Sequence, residues 1–496
     1  MKKIYIFSIL LLSLLLISCD DFLDNDPKTN LPEDIAYESL EDCERALNGA
    51  YRSMYNYVVA MPALYDVAVD DIKYTRWGDN SYSKVRNFSW SSSTFGATDS
   101  PWGINYSLVA RVNNLLKGIK KFENTTDPDE LIQIKHIKGE AYMFRAFAHF
   151  ELLRTHGYKY NKTTANTDKG IPIVHETNLK AKPRETVAKS LELILLDLDS
   201  ARADMTAAQS YMDNRENPVC FLSLDAAYAL ETRIHLYKED YDKVVQAADN
   251  IIGYELSDSV RTYNTIWQND NPQKEIIYMI GISSAEVSPS FSLSEVTYIR
   301  DKSTKPNSRA NFIPATELMN LYDKVNDIRW SAYFTENYPM HSSTTDGGEK
   351  LTLVTKYPGN STLSSSDRIN QTKYFRYAEV LLNKIEALYY INESQALAEL
   401  NKFRKKRIYE YTDQTYTGQA LLDEIKLERR KELAFEGIRF HDLRRWNEGY
   451  TRLPQKYISS EEIISVSPSD HHWTLPIPQH EITANNLPSD YQNQGY

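Results

Sequence analysis

The sequence predicts a mostly α-helical protein built from repeated helix hairpins, interrupted by irregular loops and short β-hairpin insertions. Three observations carry this expectation. Residues 221–237 and 241–252 are two amphipathic runs joined by the polar turn Lys238-Glu239-Asp240. Tyr228, Thr232 and His235 share one face of the first run, and Tyr241, Val244, Ala248 and Ile251 follow in the second, the register of a tetratricopeptide hairpin. Residues 374–391 and 394–408 make a second such pair. Between the helical runs lie two blocks, 62–101 and 257–367, where Ser, Asn, Gly and Asp interleave with aromatic residues. A single hairpin cannot bury its own apolar face, so the hairpins are expected to stack.

Composition sets the limits. The chain has 496 residues, 42% hydrophobic and 25% charged, enough to bury a large core without covalent staples. A net charge of −11 with no Lys/Arg stripe disfavours nucleic acid as a partner. Tyrosine is abundant, with 35 residues beside 7 Trp and 16 Phe. That excess predicts some rings on the surface, where an apolar face with a polar handle suits ligand contact.

Residues 1–18 read as a leader and not as part of the fold. Lys2 and Lys3 precede an apolar run over residues 4–17, too short for a comfortable membrane span and suited to a secretory signal. The run ends in Leu16-Ile17-Ser18-Cys19, which resembles a bacterial lipobox. Cys19 is then the lipid attachment site, and the protein is held by acyl chains without spanning the bilayer. Asp20 and Asp21 follow directly, and residues 19–32 form a polar tether. The other cysteines, Cys43 and Cys220, are expected to be free buried thiols. There is no CxxC or zinc spacing, His471-His472 reads as a loop pair, and no metal or cofactor is expected.

The rest, residues 33–496, is read as one domain. Pro32-Glu33-Asp34 signals a helix that runs on to Met54. Helices are predicted over 104–122, 131–156 and 185–205, with Ala141, Ala146 and Ala148 permitting close approach and Gly157 stopping the second. Residues 170–174 should be extended and 275–280 a strand. Asp346-Gly347-Gly348 marks a hairpin turn before a strand at 351–357. Residues 421–446 read as a helix, or a helix with one break at Gly437. Its apolar positions alternate with Glu428, Arg429, Arg430, Glu432, Glu436, Arg439, Asp442, Arg444 and Arg445. Such mixed charge points either to Arg–carboxylate pairs across a helix contact or to a solvated face with i,i+4 pairs. Helical repeats are thus placed near 131–205, 221–252, 374–408 and 421–446. The tail, with Pro476, Pro478 and Pro488, should wrap the surface as an extended segment.

Several of these segments together resemble the SusD/RagB family of bacterial surface lipoproteins. The resemblance rests on Trp102, Tyr106 and Asn113; on Arg145 to Gly157 with Gly170-Ile171-Pro172; and on Asp327, Arg329 and Lys356-Tyr357. It continues in residues 376–383, in 428–437, in Asp442-Leu443-Arg444-Arg445-Trp446, and in the ending Pro476-Ile477-Pro478 … Gln492-Asn493-Gln494-Gly495-Tyr496. The resemblance implies a SusD-like fold and a binding protein on the outer membrane. Such a protein serves as lid to a SusC-like TonB-dependent transporter and delivers to it a glycan, or a peptide in RagB-like cases.

Ligand residues do not transfer by position, because the irregular blocks match no fixed pattern. Trp102 and Tyr106 match shared positions and are assigned to the core. The candidates are therefore the less family-like aromatics, Trp77, Tyr82 and Trp90 in the first block and Tyr298 in the second. Rings of this kind stack on the C–H faces of sugars. Asp71 and Arg76 are the candidate hydrogen-bonding partners, one accepting and one donating. An enzyme is not expected. Asp70-Asp71 and Glu33-Asp34 are neighbours in sequence only, and neither a nucleophile elbow nor HExxH is present. A tetratricopeptide-like scaffold without a small ligand is the other alternative, and it would not need the aromatic loops.

Overall fold

A computed structural model describes residues 36–76, 78, 82–94, 100–177, 181–282, 311–339, 350–363 and 369–496. The first helix, α1 (Leu40–Ala68), starts at a capping box. The Ser39 hydroxyl accepts from the Asp42 N–H at 3.2 Å, and the Asp42 carboxylate accepts from the Ser39 N–H at 2.8 Å. The expected start at residues 32–34 lies outside the described residues. The helix also runs well past Met54 and through Pro62, so the first irregular block begins after Ala68, not at residue 62. Met54, Tyr57, Val58, Met61, Tyr65 and Ala68 keep a helical spacing and are all buried, which holds the helix together across the proline.

Next come α2 (Pro101–Gly118) and α3 (Pro128–His156), each with proline in its first turn and a capping side chain, Ser100 and Asp127. From Ile134 onward nearly every side chain of α3 is buried, which makes it the central helix, packed by α1, α2 and α4 (Val187–Ala207). Gly139 shows how close α3 and α4 come: a Cβ there would lie 2.9 Å from Met205 Cγ and 3.0 Å from its backbone nitrogen. Gly157 does end α3, but at φ −74° and not in the left-handed region. Its need is steric, since a Cβ would meet the Leu153 side chain at 2.7 Å and its carbonyl at 2.8 Å. Trp102 is buried as expected, and the Tyr106 hydroxyl donates to the Pro172 carbonyl at 2.7 Å.

The predicted hairpins follow. α5 (Leu224–Tyr237) and α6 (Tyr241–Asp249) turn at Glu239, whose φ is +58°. A short helix α7 (Val260–Gln268) precedes the second hairpin, α8 (Tyr377–Ile391) and α9 (Glu393–Arg407). α6 packs on α8, joined by Leu236, Val244 and Ala387. α8 and α9 share a core of Leu382, Ile385, Leu400 and Phe403 with Leu421 and Ile425 of α10 (Gln419–Glu432). The stack therefore runs α3/α4, α5/α6, α8/α9 and then α10. Residue 374 is not helical as predicted. Lys373–Arg376 is a strand, β6, and Tyr377 opens the helix with its N–H on the Glu275 carbonyl at 2.9 Å.

Among the described residues, the strands form four antiparallel pairs. β1 (Ile72–Tyr74) pairs with β3 (Phe312–Pro314), β2 (Ile276–Met279) with β6, β4 (Phe334–Pro339) with β5 (Lys350–Val354), and β7 (Tyr450–Thr451) with β8 (Ser465–Val466). The strand predicted at 275–280 is thus β2, and the one at 351–357 is β5. The turn at 346–348 lies outside the described residues. Residues 170–174 are irregular, with one bridge from Lys169 to Thr186. The tail is not wholly extended. Its proline-free stretch forms a short helix, Gln479–Ala484, while Leu475, Ile477 and Asn493 are buried.

The segment over 421–446 breaks between α10 and α11 (Arg439–Trp446). The break spans residues 433–438, with Phe435 at φ +66° and Gly437 at φ +71°. A helix end leaves carbonyls without intrahelical partners, and here buried side chains take them. Tyr322 donates to the Lys431 carbonyl at 2.7 Å, Tyr333 to that of Glu432 at 2.8 Å and Tyr357 to that of Phe435 at 3.1 Å. Lys356 reaches the Ala434 carbonyl at 2.8 Å. Part of the tyrosine excess therefore lies inside. Those rings fill the core while their hydroxyls cap a broken helix.

Candidate functional site

The first irregular block is tied down before it reaches the surface. Asp70 and Asp71, just after α1, meet the arginines of the broken segment. Arg430 Nε donates to Asp71 Oδ1 at 2.8 Å, and Arg439 Nε donates to Asp70 Oδ1 at 3.1 Å. Burial pushes the Asp70 carboxyl up, but Arg439 and Arg430 overcome it and hold it at about 2. Burial and the Asp70 charge push Asp71 up, against the pull of Arg430. A second staple follows. Buried Arg86 donates to Glu462 at 2.8 Å and lies over the Tyr74 ring at 3.8 Å. Arg452 donates to Glu462 and to the carbonyls of Val67, Val69 and Arg86. The C-terminal stretch around β7 and β8 is thus riveted to the end of α1.

On this base, β1 and its continuation meet β3 and the loop after β7. Thr75 donates to the Asn311 carbonyl at 2.8 Å and bridges to Ile458. Arg76 N–H donates to the Tyr457 carbonyl at 2.9 Å. The Arg76 guanidinium lies 5.7 Å from the Tyr457 ring, and Lys456 Nζ lies 4.6 Å from the same ring. Arg76 and Lys456 are exposed and Tyr457 is half-buried, held at φ +73°. A tyrosine in the left-handed region is uncommon, and here it turns a ring towards two cations. Tyr82 is half-buried, its ring 6.4 Å from that of Phe312 in β3. The arrangement offers an aromatic face between hydrogen-bond donors.

The six residues predicted to bind ligand divide in four ways. Arg76 lies on this face, and Tyr82 is half-buried beside it in sequence only, against Phe312 of β3. Trp77 and Tyr298 lie outside the described residues, as does Cys19. Trp90 and Asp71 are structural. Trp90 is 3% exposed, its Nε1 donates to the Tyr496 hydroxyl at 2.9 Å, and its ring packs on Phe88. Asp71 is fully buried against Arg430. Neither presents a side chain to solvent. Lys456 and Tyr457 went unnoticed in the sequence because they lie far along the chain from Arg76, in a short loop without a periodic pattern.

Among the described residues, two groups have metal-ligating side chains close together. In the first, Asp197 is paired through both oxygens with Arg145, at 2.8 and 2.6 Å. His149 Nε2 accepts the Val174 N–H at 3.2 Å, so in its neutral form the proton sits on Nδ1, leaving no lone pair there for an ion. In the second, Asp470 Oδ1 holds the His472 N–H at 2.9 Å and its Nδ1 at 2.7 Å, a local turn that matches the expected loop pair. Cys43 and Cys220 are both free thiols; the first is buried, and the second, expected to be buried too, is half-buried.

Comparison with known proteins agrees with this architecture. A family model described as the SusD family matches residues 255–496. A second, described as starch-binding associating with outer membrane, matches residues 21–236. SusD-like protein P2 from Formosa agariphila is 24% identical, with all of both chains covered. SusD-like protein P38 from the same organism is also 24% identical, over 90% of this chain and 92% of its own. The crystal structure of a SusD superfamily protein from Bacteroides thetaiotaomicron superposes with a TM-score of 0.75 at 24% identity, covering 92% of this chain and 99% of that one. Surface glycan-binding protein A from Bacteroides fluxus gives 0.67 at 19% identity, over 92% and 100%. With both halves matched by models of one family and relatives aligned end to end, the chain belongs to the SusD/RagB family.

Proposed function

We propose that this protein is a cell-surface lipoprotein that captures an oligosaccharide or polysaccharide and delivers it to a SusC-like TonB-dependent transporter. The observation that carries the reading is the meeting of Arg76 and Tyr457, brought together from distant parts of the chain onto one exposed face with Lys456 beside them. The exposed part of a half-buried ring can stack on the C–H face of a sugar, and flanking donors fix its hydroxyls. Family membership supports a binding role and association with the outer membrane, in keeping with the description of the model matched over residues 21–236. The glycan-binding neighbour from Bacteroides fluxus supports the same class of ligand. Trp77 and Tyr298 are retained as further candidate ligand residues. Among the described residues no helix is long and apolar enough to cross a membrane, and attachment is assigned to a lipid on Cys19.

Affinity gel electrophoresis of the protein lacking residues 1–19, against a panel of soluble polysaccharides, tests the capture step. Retardation by one glycan class supports it. No retardation by any glycan redirects the reading to a RagB-like peptide ligand or to a scaffold that meets only the transporter. Membrane fractionation of the Cys19→Ala variant tests the anchor, with release from the membrane fraction expected.

A further inference from the structure

A small cavity lined by both apolar and charged side chains lies where the broken segment meets the first hairpins. Its volume is about 40 Å³, and its lining includes Arg233 of α5 with His441 and Arg444 of α11. One water needs roughly 10–15 Å³ of such space, so the cavity has room for one monatomic ion with water beside it. All three of these residues are at least nine-tenths buried, and each has a side-chain nitrogen without a hydrogen-bond partner. The unmatched atoms are Arg233 Nη1, Arg444 Nε and both ring nitrogens of His441. Buried polar groups left in this state are costly, and several on residues that line one cavity call for an occupant.

The charge around the cavity fixes the sign of that occupant. Arg154 pairs with Glu151, Arg233 with Glu379, Arg429 with Asp442 and Arg445 with Glu386. Arg444 has no carboxylate among the described residues. Its Nη atoms donate to the carbonyls of Arg154 and Gly157, each at 2.5 Å, and to Thr474 Oγ1 at 2.9 Å. Five guanidinium groups therefore face four carboxylates, and one buried positive charge is left over. Burial, and then the charges of Arg154, Arg444 and Arg233, hold the His441 imidazole well below its ordinary range. It is neutral and offers one N–H. The unmatched groups are thus two guanidinium N–H donors and one imidazole donor around a net positive site.

We propose that this cavity binds a small monovalent anion of halide size, which neutralises Arg444 and ties the broken segment to α5. Such an anion accepts from Arg233 Nη1, Arg444 Nε and the His441 N–H together, and it binds the folded chain alone. It therefore stabilises the fold by mass action.

The test uses the wild-type protein lacking residues 1–19. Crystals soaked in sodium bromide are expected to show one anomalous peak within hydrogen-bonding distance of Arg444 Nε and Arg233 Nη1. In solution, Tm is expected to rise steadily with each tenfold increase in chloride or bromide, with ionic strength held constant by sodium gluconate. An Arg444→Met variant, which removes the unpaired charge, is expected to lose the halide dependence. If that variant does not fold, the two wild-type measurements still decide. Water density without an anomalous peak overturns the proposal. A bromide peak without halide dependence of Tm marks binding at crystal concentration only and overturns it as well.

Discussion

Arg407 and Glu432 form a fully buried, two-pronged ion pair, with Nε on Oε2 at 2.9 Å and Nη2 on Oε1 at 3.0 Å. Arg376 and Arg329 reach the same carboxylate, at 2.9 and 3.1 Å. Glu275 balances them through Arg376 and Arg407. Glu432 is thus the point where the end of α10, α9, β6 and the loop at Arg329 converge. Of the two readings the sequence leaves open for this segment, the structure selects charge pairs across element contacts over a solvated face.

Removing one partner from a buried network leaves the others uncompensated, at a cost of about 3–5 kcal/mol. Glu432→Gln keeps the shape of the side chain and removes its charge from among three arginines. A loss of that size, read as a lower urea midpoint, is the expected outcome. A midpoint within error of wild type would mean that the network does not hold this junction.

The same network gives the fold an acid limit. Burial raises the Glu432 carboxyl, but Arg407, Arg376 and Arg329 outweigh it and hold it well below the ordinary range. Glu428, Glu386 and Asp442 are likewise lowered by their arginines against burial. Groups depressed in the folded state bind protons first in the unfolded state. Their contribution is therefore complete above about pH 4.5 and is lost as pH falls through the folded values. Chemical denaturation from pH 7 to pH 3 is expected to show a plateau and then a steep decline below about pH 4.5. The decline should be shallower in Glu432→Gln.

Asp66 behaves in the opposite sense. Burial, then the Asp71 charge, pushes its carboxyl well above the ordinary range. Its Oδ1 accepts the Gly437 N–H at 3.1 Å, and its Oδ2 is buried without a partner. A group raised in the folded state stabilises fully below its unfolded value, near 4, and loses that contribution as pH rises towards the folded value. Asp66→Asn mimics the neutral acid and keeps the acceptor for Gly437. The variant is expected to gain on wild type progressively as pH rises from 4 to 8. Parallel stability curves over that range would show that Asp66 does not titrate between the two states.

The sequence conveyed the scaffold well because helices announce themselves locally. The hairpin at Lys238-Glu239-Asp240 is visible from spacing alone, and α5 and α6 sit where that spacing puts them. Elements that depend on distant partners were misread. Tyr374 looks helical until β2 supplies a strand for it to pair with, and α1 passes Pro62 because its buried face continues beyond it. The site was legible only in part for the same reason. Arg76 and Tyr82 stand out as polar-loop residues, and so does Trp90, yet only the fold shows that Trp90 is closed over by Tyr496. Tyr457 joins Arg76 through backbone contacts between remote segments, which no local pattern encodes.

That division makes Trp90 and Tyr457 a discriminating pair. Trp90→Ala empties a buried site between Phe88 and Tyr496 and is expected to cost about 3–5 kcal/mol of stability. Glycan affinity in the fraction that remains folded should be little changed. Tyr457→Ala removes a half-buried ring that packs on Ile313, Leu351 and Leu353 and is expected to lower the unfolding midpoint less than Trp90→Ala does. It should weaken glycan binding by about tenfold, equivalent to ~1.4 kcal/mol. Arg76→Ala, which removes a donor beside the same ring, should weaken binding in the same direction. Unfolding curves and affinity electrophoresis on all three variants separate the roles. If Trp90→Ala abolishes binding at full stability while Tyr457→Ala binds as wild type, the ligand lies elsewhere, and the face built by Arg76, Lys456 and Tyr457 is not the capture surface.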